Sequence, residues 1–127
     1  MKIFSEPLSA ETDPNANVTD FLERIVNQHP EHPLFSIQKG DQWEGLSAKD
    51  FHEEVKAIAK GLIGIGLKAG DKLGLLSRTR YEWTLLDFAM MYAGVISVPI
   101  YESSSSEQIK WVLSDSESVG CFFESQE

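Results

Sequence analysis

The sequence predicts an α/β fold: a parallel βαβαβ core with crossover helices, preceded by a small N-terminal hairpin. Three observations predict it. Residues 71–124 alternate three short apolar runs (72–77, 95–101 and 119–124) with two helical patterns, as a parallel sheet with crossover helices requires. Upstream, residues 34–38 alternate apolar and polar, and residues 43–46 return after the tight connection Lys39-Gly40-Asp41-Gln42, which reads as an antiparallel pair. Finally, 127 residues with 42% hydrophobic and 24% charged side chains have the composition of an ordinary globular domain with a real core.

In chain order, residues 1–17 contain Pro7, Asp13, Pro14 and Asn15 among few apolar positions and read as an extended arm. Thr19 is a plausible N-cap for a first helix with an apolar stripe of Phe21, Leu22, Ile25 and Val26. Pro30 and Pro33 end that helix, because each lacks a backbone donor. The hairpin follows. Ser47 then caps a long helix, with Asp50 three residues on in a capping-box-like position. Phe51, Val55, Ile58, Leu62 and Ile65 recur at helical spacing as its buried face, while Glu53, Glu54, Lys56 and Lys60 fall mostly opposite. Gly66 marks its end, and Ala69-Gly70-Asp71 turns into the first core strand. The helix over 82–92 is apolar around almost its whole circumference, so it must be covered on more than one side. Gly94 closes it, and the second core strand occupies 95–100. Ser103 to Ser106 form a polar loop with Ser105 or Ser106 as N-cap of a helix carrying Ile109, Trp111, Val112 and Leu113, and the third strand follows at 119–123. The chain stops at Glu127 with no closing helix after Phe123, so the last strand is expected to lie uncovered, as in a piece of a larger layered α/β fold.

The charge balance narrows the function classes. Eleven basic residues lie scattered among twenty acids, net charge −9, which opposes nucleic-acid binding because clustered cations are needed to displace counterions. Cys121 is the sole cysteine, so no intrachain disulfide forms and a cytoplasmic location is expected. Lys2 leads into a polar, Pro-containing stretch rather than a signal-peptide core, and the most apolar window, 85–100, is broken by Asp87, Gly94 and Ser97. Any membrane association is expected to be peripheral.

Candidate chemistry is sparse. His29, His32 and His52 have no cluster of cysteines or carboxylates at metal spacing and read as solvated or capping residues. The run Gly61-Leu62-Ile63-Gly64-Ile65-Gly66 lies at the end of a helix, the wrong place for a dinucleotide fingerprint. Ser103 to Ser106 could offer backbone N–H groups to an anion, but Glu102 and Glu107 flank them, and an N-capping role accounts for them better. Ser77-Arg78-Thr79-Arg80 follows a parallel strand, where α/β folds place ligands; the two arginines could hold a phosphate or carboxylate, or pair with nearby acids. Ser47 has no nearby base, and Cys121 sits in an apolar strand. No catalytic, cofactor-binding or metal-ligating residue is assigned.

Several segments in their order nevertheless resemble the N-terminal part of AMP-forming acyl-CoA synthetases, the long-chain fatty acid–CoA ligase branch of the adenylate-forming superfamily. They are Trp43-Glu44-Gly45-Leu46-Ser47, Ala59-Lys60-Gly61-Leu62, Gly70-Asp71-Lys72-Leu73-Gly74-Leu75-Leu76-Ser77, Arg80-Tyr81-Glu82-Trp83, Ala93-Gly94-Val95-Ile96-Ser97-Val98-Pro99-Ile100-Tyr101, and 109–114. The resemblance runs from about residue 18 to the end. It implies a parent enzyme that joins ATP and a fatty acid into an acyl-adenylate, then transfers the acyl group to coenzyme A, with Mg²⁺ on the phosphates. The family's Ser/Thr/Gly-rich phosphate loop, its ribose-holding aspartate and its C-terminal catalytic lysine have no counterpart here. The resemblance therefore implies scaffold, residues 18–127 being the first part of the large N-terminal domain: fatty acid, ATP and coenzyme A are partners of the parent, while the fragment is expected to be inactive, to need no cofactor and to pack against the rest of the parent chain. An alternative from the residues alone is a small α/β interaction module that buries the 82–92 helix, or an open sheet edge, by dimerising or docking. A flavodoxin-like regulatory domain fits less well, since Ser77 and Arg78 stand where that type of site wants carboxylates.

Overall fold

The computed structural model describes residues 13–124. Its elements are α1 (Val18–Gln28), β1 (Pro33–Lys39), β2 (Gln42–Ser47), α2 (Ala48–Gly64), β3 (Lys72–Leu76), α3 (Tyr81–Tyr92), β4 (Ile96–Ile100), α4 (Ser106–Asp115) and β5 (Gly120–Phe123). Most of the expected arm, residues 1–12, lies outside the described residues. Its last residues are not extended: the Ala16 N–H reaches the Asp13 carbonyl at 3.0 Å, closing a turn before α1. The cap of α1 is also Asn17 rather than Thr19. The Asn17 side chain accepts from the Thr19 backbone N–H at 2.8 Å, and the Asp20 carboxylate accepts from the Asn17 N–H at 2.7 Å, a reciprocal arrangement that fixes the helix start two residues earlier.

β1 and β2 pair antiparallel, and β3, β4 and β5 form a parallel sheet in the order β4-β3-β5. The chain thus leaves β3 to one side through α3, then crosses back over β3 through α4. Reversing the crossover direction puts the two helices on opposite faces. Leu73 and Leu75 face α3 and the second half of α2, in a cluster with Ala59, Leu62, Ala89 and Met90. Gly74, on the opposite face, lies under α4. A Cβ there would come within 2.6 Å of Leu113 Cδ2 and 2.9 Å of Cys121 Sγ, so the absent side chain is what lets α4 approach the sheet.

A second cluster joins Leu22 of α1, Phe51 and Val55 of α2 and Leu85 of α3, with Phe35 of the hairpin and Phe88 packed against it. The helix that is apolar all round is therefore packed on two sides within this chain, by α1 and α2 on one and the sheet on the other. Ser47 caps α2 as expected, accepting from the Asp50 N–H at 3.1 Å. At its other end, Leu67 N–H to Leu62 carbonyl (3.2 Å) and Gly66 N–H to Ile63 carbonyl (3.0 Å) form a Schellman closure. Ile65, expected on the buried face, is instead the last capping residue and is 77% exposed, because the helical stripe has already turned away there. Gly94 (φ 71°) makes the equivalent turn after α3, where a Cβ would press to 3.0 Å from that of Ala69.

Candidate functional site

The carboxyl ends of β3 and β4 lead to opposite faces of the sheet, so the crevice between them is a topological switch point, where open α/β sheets place ligands. A cavity of about 370 Å³ lies there, lined by residues that include Arg78, Trp83, Pro99 and Tyr101. Beside it, between the ends of β3 and β5 and the flank of α3, a wider cleft of about 1160 Å³ includes Arg78, Arg80, Trp83, Leu86 and Phe123 in its wall. Its apolar part is the uncovered side of the last strand, where Phe123 is 71% exposed.

The two arginines after β3 are engaged with carboxylates. Arg78 Nη2 and Arg80 Nη1 donate to Glu124 Oε1 at 2.7 and 2.8 Å. Arg78 Nε and the Arg78 backbone N–H, both at 3.3 Å, and Ser77 Oγ at 3.4 Å complete the set on Oε2. Arg80 turns its other edge to Glu82, with Nε and Nη2 at 2.6 and 2.9 Å. The arginine hydrogen bonds hold the Glu124 carboxyl far below the usual range, at about 2, and the Arg80 contact also depresses that of Glu82. Of the two roles open to these arginines, pairing with acids is the one present. Glu124 carried no signal in the sequence: it reaches Ser77 only because β5 pairs in register with β3, Phe123 opposite Leu76.

The other strand-to-helix loop behaves as an N-cap. Ser105 accepts from the Gln108 N–H at 3.3 Å, and the Gln108 side chain accepts from the Ser105 N–H at 2.8 Å. Hydrogen bonding in that first turn lowers the carboxyl of Glu107, so an acid already occupies the position an anion would take.

His29 and His32 are exposed, as expected, but His52 is not. It is 7% exposed on α2, with Nε2 at 2.7 Å from Glu23 Oε1 of α1; the Tyr92 hydroxyl of α3 donates to the same oxygen at 2.8 Å. The signal was present: His52 precedes Phe51's neighbours Val55 and Ala59 by three and seven residues, on the buried stripe. Tyr92 is the chief cause of the lowered Glu23 carboxyl, and burial, then Glu23, raise the Tyr92 phenol. This cluster lies where α1, α2 and α3 meet, away from both cavities, with His52 buried and Glu23 half-exposed, and it ties the three helices together. Cys121 is half-buried, and burial raises its thiol, consistent with an inert side chain. Among the described residues no group of three or more His, Cys, Asp or Glu could hold a metal ion, and no helix is long and apolar enough to cross a membrane.

The family profile described as "AMP-binding enzyme" matches residues 22–127. The chain belongs to the AMP-binding enzyme family. This member is 36% identical over 124 residues, 98% of its length, to the long-chain-fatty-acid–CoA ligase FadD15 of Mycobacterium bovis. It is 37% identical over 107 residues, 84% of its length, to the mitochondrial medium-chain acyl-CoA ligase ACSF2 of Mus musculus. It spans 21% and 17% of those relatives. Among solved structures it superposes on the N-terminal subdomain of Klebsiella oxytoca NpsA in complex with 3-hydroxybenzoyl-AMSN, with a TM-score of 0.77 at 22% identity, covering 87% of this chain and 27% of that one. A fatty acid AMP ligase from Legionella pneumophila gives 0.70 at 23% identity, covering 80% and 18%. The AMP-binding segment thus has the expected fold, as part of a larger one.

Proposed function

We propose that this AMP-binding segment is the first part of the large N-terminal domain of an adenylate-forming acyl-CoA ligase, residues 18–127, and that it serves there as scaffold. The parent enzyme activates a long-chain fatty acid with ATP and Mg²⁺ to the acyl-adenylate, then passes the acyl group to coenzyme A in the cytoplasm, with membrane contact at most peripheral. The observation that carries this reading is the 36% identity to a long-chain-fatty-acid–CoA ligase along 98% of the chain. The self-neutralised charges at the carboxyl end of the sheet support the scaffold role, and the catalytic groups come from the remainder of the parent.

Two assays test the two halves. The full reading frame containing this segment, expressed and supplied with ATP, Mg²⁺, coenzyme A and oleate, is expected to release AMP and form oleoyl-CoA, with octanoate turned over more slowly. Failure to adenylate either acid would overturn the ligase assignment, and a preference for octanoate would move it to the medium-chain type. The 127-residue chain alone is expected to form no acyl-CoA; turnover by it would overturn the scaffold role.

A further inference from the structure

Four N–H donors converge on a single carboxylate at the carboxyl end of the sheet, Arg78 Nε, Nη2 and backbone N–H and Arg80 Nη1, all within 3.3 Å of Glu124, and the Ser77 hydroxyl, which also bonds the Arg78 carbonyl at 3.0 Å, lies 3.4 Å from it. We propose that Ser77, Arg78 and Arg80 form an anion site of the carboxylate or phosphate class, whose resident ligand is the chain's own Glu124. This inference does not rest on the ligase assignment.

Three features distinguish the arrangement from an ordinary surface ion pair. The donors come from the β3–α3 loop and the acceptor from the end of β5, so the contact spans 44 to 46 residues of sequence. Arg80 is braced from behind by Glu82, which fixes its guanidinium plane whether or not Glu124 is present. The site also opens into a cleft of about 1160 Å³, room enough for an anion from solution. Glu124 itself is 19% exposed while Arg78 remains 69% exposed, so the receptor is open to solvent and the plug is seated.

The charges explain why the site is filled from within. Two arginines face Glu124 and Glu82, and Glu102 lies near enough to act on Arg78. With Glu124 seated, a second anion meets a neutral or negative surface. With Glu124 removed, one guanidinium and half of another are left without a partner. Glu124 also continues the strand. β5 reads Gly-Cys-Phe-Phe, and the Glu124 backbone N–H extends its pairing by donating to the Leu76 carbonyl at 3.1 Å, with Phe123 opposite Leu76.

The test is chemical rescue in the full 127-residue chain. Glu124→Ala is expected to melt lower than wild type in sodium chloride and to regain stability in inorganic phosphate or acetate at matched ionic strength. An anion with a Kd near ~5 mM, present at ~100 mM, shifts the folding equilibrium by about 20-fold, or roughly 4–8 °C in Tm. Wild type is expected to shift by less than ~1 °C. In Glu124→Ala/Arg78→Gln the rescue is expected to vanish. A larger response to phosphate than to acetate would assign the phosphate class, and the reverse the carboxylate class. No anion-specific shift in Glu124→Ala, an equal shift in wild type, or one that survives Arg78→Gln would overturn the proposal. If Glu124→Ala is unfolded in chloride, the readout becomes whether phosphate or acetate restores a cooperative transition. Glu124→Gln, which keeps the side-chain shape, then supplies the parallel measurement, and no anion response in either variant overturns the site.

Discussion

Replacing Glu23 is expected to loosen the helical half of the molecule more than any other exposed-carboxylate change. One oxygen of Glu23 on α1 meets His52 Nε2 of α2 at 2.7 Å and the Tyr92 hydroxyl of α3 at 2.8 Å. Glu23→Ala leaves both donors without an acceptor, and the His52 side chain is only 9% exposed, so water cannot replace it freely. Hydrogen bonds to a charged group contribute about 1.5–3 kcal/mol each. Glu23 itself is 42% exposed, and solvent screening cuts the pair to about 2–3 kcal/mol in total. For a chain of this size that is roughly 6–12 °C in Tm. Thermal unfolding of Glu23→Ala followed by circular dichroism gives the measurement, with Glu23→Gln, which keeps one acceptor, expected to lose about half as much. Coupling to Tyr92→Phe in a double-mutant cycle should reach about 1 kcal/mol. A drop below about 2 °C for Glu23→Ala, or additivity with Tyr92→Phe, would refute the claim that this carboxylate joins the three helices. Its folded-state carboxyl is lowered from 4.5, so its contribution is complete above that value and is lost as pH falls through the lower folded value.

Other perturbations follow from the same geometry. Gly74→Ala is expected to cost about 1–3 kcal/mol by pushing Leu113 and Cys121 off the sheet, with Gly74→Val worse; denaturant unfolding measures it, and unchanged stability would mean that α4 does not lie as close as described. Glu117 ends α4 with φ 56°, a left-handed conformation that costs a non-glycine residue about 1–2 kcal/mol. Glu117→Gly recovers that strain less the greater freedom of glycine in the unfolded chain, a net gain of about 0.5 kcal/mol, and a lower Tm would count against it. The Glu124 carboxyl, lowered to about 2, stabilises fully above the ordinary value of 4.5 and loses that contribution as pH falls from there to about 2. An acid titration of Glu124→Gln should therefore be flatter than wild type across that interval, and superimposable curves would show the ion pairs to be absent in solution.

The period of the apolar residues made β1, the long α2 and the three core strands legible, whereas β2, exposed from Gln42 to Gly45, was legible only through the tight connection that returns it to β1. The all-round apolar α3 correctly announced cover on more than one side; the covering elements proved to be α1, α2 and the sheet of this same chain. The starts of helices were harder. Asn17 and Thr19 both suit a cap, and only the reciprocal bond to Asp20 chooses between them. Strand order was illegible for a different reason. Periodicity says which face of β3 is apolar but not the side of β3 on which β5 lands, and the partner of Arg78 and Arg80 depends on that choice. Two further signals are legible in the sequence. A lone glycine inside the β3 run marks the close approach of α4, and His52 sits on the buried stripe of α2.

The arginines at the end of β3 would by composition alone be an attractive site for the phosphates of a nucleotide, in a family defined by binding one. Their surroundings argue otherwise. Arg80 is shared between Glu82 and Glu124, Arg78 is committed to Glu124, Glu102 adds a further negative charge, and the loop before α4 carries Glu107 in its first turn. Each positive or hydrogen-bond-donating end of the sheet is already matched by an acid from within the segment. Such matching stabilises the segment by offsetting the arginine charges at the end of β3. The anion response of Glu124→Ala measures how much latent binding that matching conceals.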